Sequence, residues 1–157
     1  MAIHGFYSSG SGIVSAPYLR AYIDFGRLRI TEEVLFLVDT GSYNTCIHPF
    51  DAARLGIDHR RLEENPLVQS SGIGGTASYY LEPATLMLLE NDGARRFVSL
   101  DVQIAQESDA VARRNLPSLL GRDFLNLCAL TVDHFNDIVR LEPHNVIEGF
   151  VLPPIRA

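Results

Sequence analysis

The residues best suited to chemistry are Asp39-Thr40-Gly41-Ser42, reached directly from the apolar run Val34-Leu35-Phe36-Leu37-Val38. A lone carboxylate at the tip of a turn can act as a base or, once protonated, as an acid. Carboxylate-driven hydrolysis needs both at once: one group activates a water while the other protonates the leaving atom. The chain carries one such triplet, so if Asp39 supplies both carboxylates, a symmetric dimer with two Asp39 side chains on its two-fold axis is expected. Two carboxylates that close cannot both ionise cheaply, so the pair holds a single proton. Asp-Thr-Gly is also a good generic turn, because Asp accepts from backbone N–H groups and Gly tolerates positive φ. Taken alone, the triplet reads better as a turn.

Other groups compete for the chemistry. Cys46 and His48 lie two apart on one face of a strand, where a nucleophile and base seldom reach working geometry, and no orienting acid is evident. Cys46, His48, Cys128 and His134 lack the ligand-pair spacing of a zinc site. No cofactor is expected. Both cysteines, far apart and outside any C-x-x-C pattern, are expected to be reduced and buried. His4, His59 and His144 read as solvated.

Length and composition restrict the setting. A chain of 157 residues that is 46% hydrophobic is expected to form one domain with a true core. A net charge of −6 argues against nucleic acid as a partner. The pairs Arg60-Arg61, Arg95-Arg96 and Arg113-Arg114 read as solvated loop charges. Neither an apolar run long enough for a bilayer nor a basic-then-apolar leader is visible, which points to a cytoplasmic protein without membrane contact.

The elements that must position Asp39 follow from period-two patterns. Strands are expected over 18–25, 34–38 (buried on both faces), 45–48, 97–104 and 116–120, with a turn at Gly26-Arg27. Pro49 opens a helix that Gly56 ends. A long hairpin runs from Val68 to Leu89 with Gly72-Ile73-Gly74-Gly75 at its tip. Residues 106–115 read as a loop or weak helical turns. A second short helix is expected over 123–128, then a hairpin of 129–133 and 138–142. The domain is expected to span 17–142, after a flexible arm over 1–16 with its Ser8-Ser9-Gly10-Ser11-Gly12 cluster. An extended Pro-rich tail follows over 143–157.

Three features occur in a fixed order: the strand entering Asp39-Thr40-Gly41-Ser42, the glycine-rich tip, and Leu119-Leu120-Gly121-Arg122-Asp123-Phe124-Leu125. Together they resemble the retropepsin-like aspartic peptidases, and more the cellular and bacterial branch than the viral one. The resemblance spans about Tyr18 to Glu142. It implies an all-β, single-domain acid-protease barrel with a flap hairpin and two short helices, working as a homodimer on polypeptide substrates. It further implies that Asp39 is catalytic and that Thr40 reaches the partner's loop. Gly41 would let the substrate backbone approach, and the hydroxyl of Ser42 would donate to the carboxylate and favour its ionised form. Gly72, Ile73, Gly74 and Gly75 would close over an extended peptide. Leu116, Pro117 and Leu119 would line side-chain pockets. Tyr43 and Asn44 would touch outer substrate residues, and Gly121 and Arg122 would support the loop. Viral members often carry acidic residues where Tyr43 and Asn44 stand, so Arg122 needs another partner here. The competing expectation is a catalytically silent dimer of this fold that binds peptides without cutting them.

Overall fold

The computed structural model describes residues 2–9, 14–72, 75–106 and 116–144. Alternation of apolar and polar residues builds most of it. In β3 (Ala16–Phe25), Leu19, Ala21, Ile23 and Phe25 are buried while Arg20, Tyr22 and Asp24 face outward. Its antiparallel neighbour β4 (Ile30–Val38) buries Val34, Phe36 and Val38. Leu35 remains 39% exposed. The wholly apolar run is therefore buried on one face in this chain rather than on both.

Eight strands form one sheet in the order β2-β3-β4-β9-β5-β8-β7-β6. Its remaining members are β2 (Phe6–Ser8), β5 (Cys46–Ile47), β6 (Leu67–Gly72), β7 (Gly75–Leu89), β8 (Arg95–Ala105) and β9 (Ser118–Leu120). A further pairing of β3 with β7, Tyr22↔Met87 to Asp24↔Thr85, closes the sheet into a barrel. A small second sheet joins β1 (Ile3–His4), β11 (Ile138–Pro143) and β10 (Cys128–Asp133). Helices α1 (Pro49–Arg54) and α2 (Arg122–Leu125) and a 3-10 turn at His59–Leu62 complete the described elements.

The all-β expectation holds, and several details differ. The flexible arm expected over 1–16 instead contributes β1 and β2: Ile3 pairs with Leu141, Phe6 pairs with Tyr18, and Ala2 and Ile3 are buried. Apolar Ile3 supplies the burial that a polar arm would lack. Residues 10–13 of that arm, the loop over 107–115 and the tail from 145 lie outside the described residues. Helix α2 is a single turn, because Cys128 already starts β10 against β11. Two arginines expected to be solvated are tied down, while Arg60 stays exposed and Arg113-Arg114 lies outside the described residues. Arg61 donates to the carbonyls of Leu28 and Arg27, and Arg96 pairs with the buried Glu90 carboxylate.

Strand β7 carries the detail that matters for the site. Its outer half buries Ala77 and Tyr79, whereas its inner half buries Glu82, Ala84, Leu86 and Leu88, the opposite parity. The strand therefore serves two cores on opposite faces. Ala84, Leu86 and Leu88 join the barrel interior, while Ala77 and Tyr79 pack with Cys46 and Ala105, with Val68 and Leu119 alongside. The fully buried Glu82 is held by Arg27 (Nη2 to Oε2, 2.5 Å) and by Asn65, which fixes the root of the hairpin.

Candidate active site

Strand β4 delivers Asp39 to a corner where two chain segments cross. Parallel pairing sets Val38 against Leu120, and the Asp39 N–H donates to the Leu120 carbonyl at 3.1 Å. The turn then closes on itself: Ser42 N–H donates to the Asp39 carbonyl (3.2 Å) and Gly41 N–H donates to Asp39 Oδ1 (2.9 Å). That last bond orients the carboxylate, and a Cβ on Gly41 would come within 3.1 Å of the same oxygen. Thr40 and Gly41 are exposed at the tip, with Asp39 half-buried beneath them.

Gly121-Arg122-Asp123 holds the loop from behind. Arg122 N–H donates to the Ser42 carbonyl (3.0 Å) and Asp123 N–H to the Tyr43 carbonyl (3.1 Å). Gly121 is required by contact rather than by φ: a Cβ there would fall 2.3 Å from the Asn44 carbonyl carbon. The Asp123 carboxylate accepts from Thr45 N–H (2.8 Å) and Thr45 Oγ1 (2.7 Å), and Thr45 Oγ1 accepts from Gly121 N–H. Asp123 and Thr45 are thus the supporting residues that sequence reasoning did not single out. The signal was the acid in the first turn of α2, where a carboxylate suits the helix start; it also accepts from Phe124 N–H.

Two expectations about polar contacts change. The Ser42 hydroxyl donates to the Asn44 carbonyl at 2.8 Å, so its hydrogen is not given to the Asp39 carboxylate. Among the described residues, Arg122 meets no carboxylate but the ring of Tyr43, its guanidinium carbon 4.1 Å from the centroid, with Nε buried and lacking a hydrogen-bond partner there. Tyr43 is 78% exposed, so the ring's remaining surface faces outward beside the loop. Asn44 Oδ1 accepts weakly from Gln103 Nε2 at 3.4 Å.

The hairpin and pocket residues also find places. Gly72 pairs with Gly75 at the described end of β6–β7, Gly75 has φ +110°, and both are exposed. Ile73 and Gly74 lie outside the described residues. Leu119 packs against the hairpin stem, Pro117 is half-buried, and Leu116 is largely exposed.

The cysteine–histidine pair corrects the sequence reading. Cys46 Sγ lies 3.6 Å from His48 Nε2, and the group that orients the ring is the Pro117 carbonyl, 2.7 Å from Nδ1, rather than an acid. The ring reaches the thiol because His48 begins the turn into α1, its N–H donating to Ser118 Oγ, which in turn donates to Asp51 Oδ2.

Residues 23–124 match a family model described as aspartyl protease. A retropepsin-like aspartic protease from Rickettsia conorii superposes with a TM-score of 0.53 at 17% identity, covering 90% of each chain. EIAV protease complexed with the inhibitor HBY-793 aligns at a TM-score of 0.45 and 18% identity, over 73% of this chain and 88% of that one. No curated protein sequence matches the chain.

Proposed function

Because the chain belongs to the aspartyl protease family, we propose that two copies of it form a homodimer that cuts extended polypeptide segments with the Asp39 carboxylate of each copy. The observation that carries this reading is the Asp39 corner. One carboxylate is oriented by Gly41 N–H at an exposed turn, on a loop pinned to Leu120, Arg122 and Asp123. A single chain supplies half of an acid–base pair, and a symmetry axis beside Thr40 and Gly41 supplies the other half.

In the assembled pair, the two aspartates share one proton, the established behaviour of such dyads in acid proteases. The ionised Asp39 takes a proton from a bound water, whose oxygen attacks the carbonyl carbon of the peptide. Its protonated mate donates to the carbonyl oxygen as the tetrahedral species forms. The proton gained from water then passes to the departing nitrogen, and the C–N bond breaks. Preorganisation of the loop matters because the carboxylates must stay face to face through both transfers. Thr40, exposed at the tip, faces the partner's loop. Leu119 and the Val68–Tyr79 stem form apolar walls beside the peptide, and the hairpin end with Gly72 to Gly75 closes over it.

Hydrolysis of an unstructured protein at pH 4 to 7, followed beside sedimentation, tests the reading. Cleavage by a dimer that is lost in Asp39→Asn is expected. A chain that sediments as a monomer, or a dimer that binds peptides without cutting them, overturns it.

A further inference from the structure

Beneath the hairpin lies a set of reactive side chains that peptide hydrolysis does not use. Cys46 Sγ is 3.6 Å from His48 Nε2, and the Tyr79 hydroxyl is 3.3 Å from the same nitrogen. The Pro117 carbonyl can only accept, so His48 Nδ1 carries the ring hydrogen in the neutral imidazole and Nε2 offers its lone pair to the thiol and the phenol. A nucleophile, a base in reach, and a third group that fixes the base's tautomer are the parts of an activated thiol. The pair is covered: Cys46 is 3% and His48 4% exposed. Cys46 packs in one cluster with Ala77 and Tyr79 of the hairpin stem and with Ala105, Val68 and Leu119 alongside, Leu119 being its neighbour in the sheet. Cys128 provides the contrast, since it sits in the barrel core, where burial pushes its thiol up to about 11.

We propose that Cys46 is a reversible oxidation site, activated by His48 and gated by the β6–β7 hairpin, whose oxidant is a small hydroperoxide such as hydrogen peroxide. When the stem lifts, the thiol gives its proton to His48 Nε2 and the sulfur attacks one peroxide oxygen. An S–O bond forms, the O–O bond breaks, and the departing hydroxide takes the proton from His48 to leave as water. Sulfur loses two electrons and the peroxide gains them, so one thiol and one peroxide become one sulfenic acid and one water. The added oxygen then enlarges the Cys46 side chain where it packs against Ala77 and Tyr79 of the stem. The hairpin's movement, its Val68–Tyr79 stem and Leu119 are shared with the protease reading, whereas Cys46 and His48 are not.

The full-length protein is treated with hydrogen peroxide and dimedone at neutral pH, digested, and analysed by mass spectrometry. Cys46 is expected to gain the adduct about tenfold or more faster than Cys128, following thiolate availability. In His48→Gln the Cys46 rate falls to that of Cys128, and in Val68→Ala, which thins the cover and leaves the pair intact, it rises. Equal labelling of the two cysteines in the unaltered chain overturns the proposal whatever the variants do. An unchanged rate in a folded His48→Gln protein overturns the role of the base, and an unchanged rate in Val68→Ala overturns the gate. Because the readout is mass, the adduct on Cys46 in a protein that cuts nothing keeps this proposal and sinks the protease reading.

Discussion

The Asp39 corner and the end of the β6–β7 hairpin lie on the same barrel and are built by opposite means. At the corner, bonds spanning large separations in sequence tie Asp39, Ser42, Tyr43 and Thr45 to Leu120–Asp123, as between Thr45 and Asp123, 78 positions apart. At the hairpin end, Gln69 to Gly72 and Gly75 to Thr76 are exposed, and the ties are ladder pairs between close neighbours, with one hydroxyl contact between Ser71 and Thr76. Regions with few buried contacts open at low free energy, whereas densely bonded ones open only with the whole fold. On the proposed protease reading, the contrast separates two needs of one reaction: a fixed acid–base geometry and a cover that moves.

Substitutions can break or sharpen that contrast. Asp39→Asn is expected to lower the cleavage rate by about 10³-fold or more, the scale for removing a general acid–base partner, with the urea unfolding midpoint essentially unchanged. Loss of the midpoint would make Asp39 part of the scaffold rather than a group held by it. Gly121→Ala forces a methyl into the Asn44 backbone, and Asp123→Ala strips two bonds from Thr45. Each is expected to destabilise by about 3 kcal/mol in urea unfolding, so a neutral result for either would show that the corner relaxes. At the hairpin, Gly75→Ala must hold a side chain at φ +110° and is expected to cost about 1–2 kcal/mol. Its larger readout is faster amide exchange over 69–76 with no change at Asp39 or Arg122. The smallest effect belongs to Tyr43→Leu, which removes the ring from Arg122. It is expected to cost about 0.5–1 kcal/mol, and Tyr43→Phe should be close to neutral.

Much of the barrel was legible because period-two burial leaves a direct trace, as in Leu19, Ala21, Ile23 and Phe25. The helix start at Pro49 and its end before Gly56, with φ +70°, were legible for the same local reason. What escaped depends on partners distant in sequence. Ile3 forms a strand only because Leu141 lies opposite, and nothing near it in the chain announces that pairing. Likewise, the parity change within β7 arises because two cores meet that strand from opposite faces. In the site, the Asp39 turn was readable, but the bonds that hold it were less so. Tyr43 replaces an ionic partner for Arg122 with an aromatic face, and the Ser42 hydroxyl turns to a backbone carbonyl. Both outcomes rest on angles that only the folded loop defines.

The parallel seam between β4 and β9 has a consequence for synthesis. The loop around Asp39 is laid down early, but the carbonyl that fixes its first amide belongs to Leu120 and the carboxylate that braces Thr45 belongs to Asp123. A nascent chain that has emerged past Asp39 but not yet to Leu120 therefore lacks both supports. The segment that carries Leu120 and Asp123 acts as the assembly step for a loop made long before it, which delays an ordered Asp39 corner until that segment has left the ribosome.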